Sequence, residues 1–273
     1  KESSRNFKVV DATLTMDGED AVLKASYLLA AGNLYIATYR IHPSGVVKAD
    51  YIFTSTEMAA AETEVSEATR LATFTPGNEA LRKESSKLVV PRIGVRFRLP
   101  ANMNQVTYFG RGPEENYIDR NNGTLVGLYK NTADAMYFPY VRPQENGHHT
   151  DTRWLTLSRK GGKGLTIYAD KTIGFNALRN SVEDFDGEEA THRDYQWQNR
   201  NEEERKHDVA TARNIKPRQT HINDITPRNF VEVCIDMKQM GVGGYDSWGA
   251  IPDPQYLIPA NQEYKWGFTI VPQ

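Results

Sequence analysis

The chain has 273 residues, with 33 Lys plus Arg against 35 Asp plus Glu and a formal net charge of −2. That balance gives no electrostatic hold on nucleic acid or an anionic membrane, either of which favours a basic patch. The lone Cys234 excludes an internal disulfide, and no apolar run is long enough to span a bilayer.

The first residues, Lys1-Glu2-Ser3-Ser4-Arg5, carry neither an initiator Met nor an apolar signal region, so the chain reads as a piece cut from something longer. Strand signals follow in order. A strand is expected at 21–29. The aromatic and β-branched run 33–42 turns at Pro43-Ser44-Gly45 into 46–54, which predicts a hairpin. Residues 56–87 break the pattern. They are rich in Ala, Glu and Ser, with helical propensity over 57–68 but poor apolar periodicity, and read as a surface insertion, part helix and part loop. Strands are expected again at 93–99 and 105–110. Residues 153–159 lead through Lys160-Gly161-Gly162-Lys163-Gly164 to 165–169, a second hairpin. After a strand at 175–178 comes the charged run Asn201-Glu202-Glu203-Glu204-Arg205-Lys206-His207-Asp208, a solvated turn. The last strands fall at 230–237, where alternation makes Cys234 a buried, inert thiol, and at 264–271. Antiparallel hairpins with few helices between them predict an all-β sandwich or barrel. No repeat or low-complexity linker marks a boundary, so one domain is expected over 1–273.

Three stretches stand out chemically. Tyr108-Phe109-Gly110-Arg111-Gly112-Pro113-Glu114-Glu115-Asn116-Tyr117 follows a strand, and Tyr137-Phe138-Pro139-Tyr140-Val141-Arg142-Pro143-Gln144-Glu145-Asn146-Gly147 matches it in composition. Loops of this kind need hydrogen bonds to fix them, and a buried network of Arg111 or Arg142 with Glu115 or Glu145 would serve. A ligand-contacting role stands beside that structural one. The third stretch, Met240-Gly241-Val242-Gly243-Gly244-Tyr245-Asp246-Ser247-Trp248-Gly249, holds an indole on a glycine-rich arm. Such an arm either offers a flat apolar face to a ligand or packs inward as a turn. Glu115 and Glu145 could be drawn as a glycosidase pair, yet spacing in sequence does not set the separation that chemistry requires. His148-His149 would point to opposite faces of a strand and has no companion ligand at metal spacing.

Together and in this order, the three stretches resemble the C-terminal domain of the long β-galactosidases of glycoside hydrolase family 2. The same domain forms the small subunit of two-chain bacterial β-galactosidases. The resemblance runs from about Leu23 to the end of the chain. It implies a large antiparallel β-supersandwich similar to galactose mutarotase. It also implies that the catalytic glutamates, with magnesium and sodium, belong to a separate α/β barrel, leaving this chain non-catalytic and without cofactor or metal. The expected partners are a galactoside and the other domains or large subunit of the same enzyme, in an intracellular or periplasmic bacterial setting. Carried over by motif, Trp248 is the platform for sugar or leaving group, on a loose and partly exposed loop. Asp246 and Ser247 support that loop, while Arg111, Glu115, Asn116, Arg142, Glu145 and Asn146 hold the motifs together. Two departures are visible: Tyr245 stands where the family often has a second Asp, and the insertion is longer than the family leads one to expect. Two other readings remain open. One is a sugar-binding or interdomain packing module. The other is a mutarotase-like enzyme using Glu145 or Glu263 with His148 or His192.

Overall fold

The structure is a computed structural model that describes residues 7–29, 32–55, 89–141, 144–185, 222–244, 251–260 and 262–273. The expected insertion at 56–87 and the charged run at 201–208 lie outside these residues.

Among the described residues eleven strands are joined in one antiparallel network: β1 (Lys8–Asp17), β2 (Asp20–Leu28), β3 (Leu34–Ile41), β4 (Val47–Thr54), β5 (Arg92–Pro100), β6 (Gln105–Gly112), β7 (Leu125–Thr132), β8 (His149–Ser158), β9 (Gly164–Leu178), β10 (Phe230–Gln239) and β11 (Glu263–Pro272). The main path runs β1-β2-β3-β4-β11-β9-β8-β6-β7, and β10 with β5 branches from β9. Both hairpins foreseen in the sequence form. Ile41 pairs with Val47 to open the first, where Gly45 takes φ +85° and His42 accepts the Ser44 amide through Nδ1. Aromatic and β-branched residues fill these strands because their stiff side chains pack well on a pleated surface.

The strand β9 makes the branch. Its first half, from Leu165 to Ala169, lies between β11 and β8. Its second half, from Gly174 to Leu178, pairs with β10. In the sequence 165–169 and 175–178 read as separate strands, because the polar Asp170-Lys171 step interrupts the apolar pattern. β1 and β7, which close the two ends of the path, are not among the expected strands.

The β5–β10 pair closes over the inner face of the main sheet, and Tyr35 of β3 reaches across to the Gly94 carbonyl of β5. Val231, Val233 and Ile235 join Ala37, Ala49, Tyr51, Leu155, Ile167 and Phe268 in one apolar cluster. Tyr51 stacks on Trp266 with ring centroids 4.7 Å apart. The other face of β10 is also buried, but it is charged. Its Glu232 meets Arg98 at 2.9 Å, and Asp236 meets Arg92. Between them sits Cys234, whose thiol burial pushes up to about 12.

Candidate functional site

The turn after β6 is built around Asn116, which is fully buried and uses its whole side chain. Its Nδ2 donates to the carbonyls of Arg111 and Glu114, at 3.2 and 3.0 Å. Its Oδ1 accepts from the backbone and hydroxyl of Thr150, so the turn is locked onto β8. Asn146 does the same for the second stretch. It accepts from the Phe138 amide at 2.8 Å and donates back to the Phe138 carbonyl at 2.6 Å, closing that loop on itself.

Glu115 ties the two stretches together. One carboxylate oxygen accepts from Arg120 at 2.6 Å and from the Tyr140 hydroxyl, and the other accepts the Gly147 amide at 2.7 Å. The Arg120 guanidinium also lies 5.1 Å over the Tyr117 ring. Burial raises the Tyr140 hydroxyl above its usual range, and the Glu115 carboxylate adds to that effect.

Beneath this cluster lies a second one. Arg92 grips Asp236 with two donors, at 2.8 and 2.5 Å, while a third reaches Glu145 at 3.5 Å. Arg92 also donates to Asn176 Oδ1 at 2.7 Å, which fixes that oxygen as an acceptor. His148 therefore donates to it from Nδ1, at 2.9 Å. Complete burial, and then the charge of Arg92, lower the His148 pKa to about 3, so the ring is neutral at physiological pH. Asp236 moves the other way. Burial raises its pKa, and the Arg92 charge limits the rise.

The third stretch begins where β10 ends. Gly241 donates to the Tyr256 carbonyl at 2.8 Å, and Gly243 donates to Oδ2 of Asp119 at 2.6 Å. A Cβ on Gly241 would lie 2.6 Å from that same oxygen and 3.0 Å from Pro252, so glycine lets the chain approach Asp119 this closely. Through Asp119, Glu115 and the β10 base, all three sequence stretches meet in one hydrogen-bonded region. Asp246, Ser247, Trp248, Arg142 and His192 lie outside the described residues.

The geometry corrects the expected ion pairs. Arg111 meets neither Glu115 nor Glu145. It lies on the β6 face opposite to the buried one, where it pairs with Asp151 and donates to the Thr124 carbonyl at 2.8 Å. Asp151 has φ +53° at an irregular point of β8. Among the described residues the cations on Glu115 and Glu145 are Arg120 and Arg92, neither of which stands out in the sequence. Arg120 lies just past the quoted stretch. Arg92 had a signal, an arginine alternating with Arg96 and Arg98 on a strand opposite Glu232 and Asp236. Of the mutarotase candidates, His148 is sealed and neutral and Glu263 sits on β11 beside Lys265 and Thr54, while the pairs with His192 lie outside the described residues. Among the described residues no group of three or more His, Cys, Asp or Glu could hold a metal ion.

The family model of the β-galactosidase small chain matches residues 2–270. This chain belongs to that family. Among curated relatives, a β-galactosidase of Priestia megaterium is 31% identical over 82% of this chain and 19% of its own length. One from Streptococcus thermophilus is 32% identical, with coverage of 67% and 15%. One from an Arthrobacter species is 40% identical, with coverage of 36% and 10%. The chain thus spans between 10% and 19% of these relatives. A solved galactose mutarotase related enzyme from Lactobacillus acidophilus aligns over 98% of this chain and 71% of its own, at 10% identity and a TM-score of 0.27. That likeness is too slight to add to the antiparallel architecture described above.

Proposed function

We propose that this chain is the non-catalytic C-terminal domain of a family 2 β-galactosidase that hydrolyses terminal β-D-galactosides with retention. The observation that carries the reading is the meeting of all three stretches at the stem of the glycine arm. Buried asparagines and a multiply bonded glutamate hold that stem, an investment in local geometry that suits a loop meant to present a side chain at a set place. In this reading Trp248 is the platform for the sugar or leaving group, and Asp246 and Ser247 support it. Arg111, Glu115, Asn116, Arg142, Glu145 and Asn146 act as scaffold. Bond cleavage, with magnesium and sodium, belongs to a barrel elsewhere in the enzyme, against which this chain packs.

The test is Trp248→Ala in the full-length enzyme. Loss of about 1–3 kcal/mol in galactoside binding or transition-state stabilisation is expected, the scale of one apolar pocket contact. Unchanged affinity and leaving-group preference would sink the platform role. The 273-residue chain alone should hydrolyse no galactoside, and measurable turnover would reveal a catalytic pair within it.

A further inference from the structure

The geometry points to Asp119 as the positioning residue of the glycine arm, an inference that rests on the platform reading of Trp248 for its functional half. Asp119 lies on the turn that runs from Tyr117 to Arg120, closed by the Arg120 amide on the Tyr117 carbonyl at 2.8 Å. Glu115, Asn116 and the Arg120–Tyr117 ring contact hold both ends of that turn. From this fixed base one carboxylate oxygen reaches 124 residues along the chain to the Gly243 amide, at 2.6 Å.

Two further observations set Asp119 apart from an ordinary turn residue. The space beside it is shaped for close approach. A Cβ on Gly241 would stand 2.6 Å from Oδ2 and 3.0 Å from Pro252, and a Cβ on Gly243 would stand 3.0 Å from Oδ2. The glycines thus let the arm lie directly on the carboxylate. The second observation concerns the other oxygen, Oδ1, which is buried without a hydrogen-bond partner among the described residues. Leaving a buried acceptor idle costs stability, so local folding alone would not select a carboxylate here. A charge-assisted bond to a backbone amide is shorter and stronger than a neutral one, and it holds the amide in one direction.

Asp119 therefore sets the direction of the stem at Gly243, from which the rest of the arm continues. It touches no reacting atom in this account and acts only through the arm. Its substitution should change how tightly a galactoside is held, and should leave the rate of bond cleavage near its original value.

Two experiments test this. Amide hydrogen exchange on the 273-residue chain reads the anchor itself. In Asp119→Ala the Gly243 amide should exchange about tenfold faster or more, the scale of one hydrogen bond to a charged group, while β6 and β8 keep their protection. Asp119→Asn keeps an acceptor oxygen and should retain most of the Gly243 protection. Equal Gly243 exchange in all three proteins overturns the anchor. Loss of protection throughout the Ala variant also overturns it, since Asp119 would then be a folding residue.

Steady-state kinetics on full-length β-galactosidase with a nitrophenyl galactoside reads the consequence. Asp119→Ala should raise KM by about the same factor as Trp248→Ala, the double variant should be no worse than Trp248→Ala alone, and Asn should restore most of the loss. Independent, additive losses overturn the positioning role. So does a normal KM for Asp119→Ala where Trp248→Ala is impaired. If Trp248→Ala is itself silent, the platform reading fails, and the exchange result alone decides the anchor.

Discussion

Arg92 and Asp236 face each other across β5 and β10 as a two-pronged pair, with the carboxylate side chain only 2% exposed. Breaking such a pair from one side leaves a charge sealed in the protein. Arg92→Ala should therefore cost about 3–5 kcal/mol, read as a lower urea midpoint. Replacing Arg92 and Asp236 together should cost less than the two single losses combined, because the stranded charge disappears.

His148 gives the chain an acid-sensitive core. Its pKa is about 3 in the folded chain against an ordinary 6.5. Between these values the unfolded chain binds the extra proton, so this contribution to stability is whole above 6.5 and declines as pH falls towards 3. His149 is shifted in the same direction by burial and adds to the slope. The raised Asp236 opposes it at the acid end, where the folded chain gains a proton first. Urea midpoints should fall from pH 7 to pH 5, and less steeply in His148→Gln. A midpoint that stays level over that range would refute this account.

Gly147 has φ +69°, and a Cβ there would lie 2.8 Å from Leu178 and 3.0 Å from the Met136 carbonyl. Strain and overpacking act together, so Gly147→Ala should cost about 2–4 kcal/mol. Gly123 has open space around it, and Gly123→Ala should stay within about 0.5 kcal/mol of the parent. Thermal unfolding of the two variants makes the comparison.

Cys234 should resist iodoacetamide in the native chain at neutral pH, since burial holds the thiol protonated up to about 12. It should label fully once the chain is unfolded in urea. Rapid native labelling, followed by mass, would show that β10 opens far more often than its buried pairing implies.

The first hairpin is legible because 33–42 and 46–54 are rich in aromatic and β-branched residues and Pro43-Ser44-Gly45 between them has the chemistry of a turn. Strand β1 does carry a period-two pattern, Val10, Ala12, Leu14 and Met16 against Asp11, Thr13, Thr15 and Asp17, yet every residue from Lys8 to Asp17 is exposed, so the pattern buries no face within the described residues. At the candidate site, Glu115, Asn116 and Asn146 stood in the quoted stretches, and the structure gives each a full set of partners. Their partners were not legible. Which cation meets Glu145 is decided by Arg92, 53 positions away, through strand pairing that no local pattern encodes. The same holds for Asp119 and Gly243. Arg111 misled because a strand residue's direction depends on the pleat, which turned it towards Asp151.

The strand β9 belongs to the main sheet along its first half and to the β10 branch along its second. Two layers that share one backbone have no axis about which to turn. Asn176, which binds Arg92, His148 and Glu145, sits in that second half, so the scaffold beneath the glycine arm hangs on the backbone that the two layers share. Sliding one layer past the other would break the pairings of β9 on both sides, so the two layers keep one register.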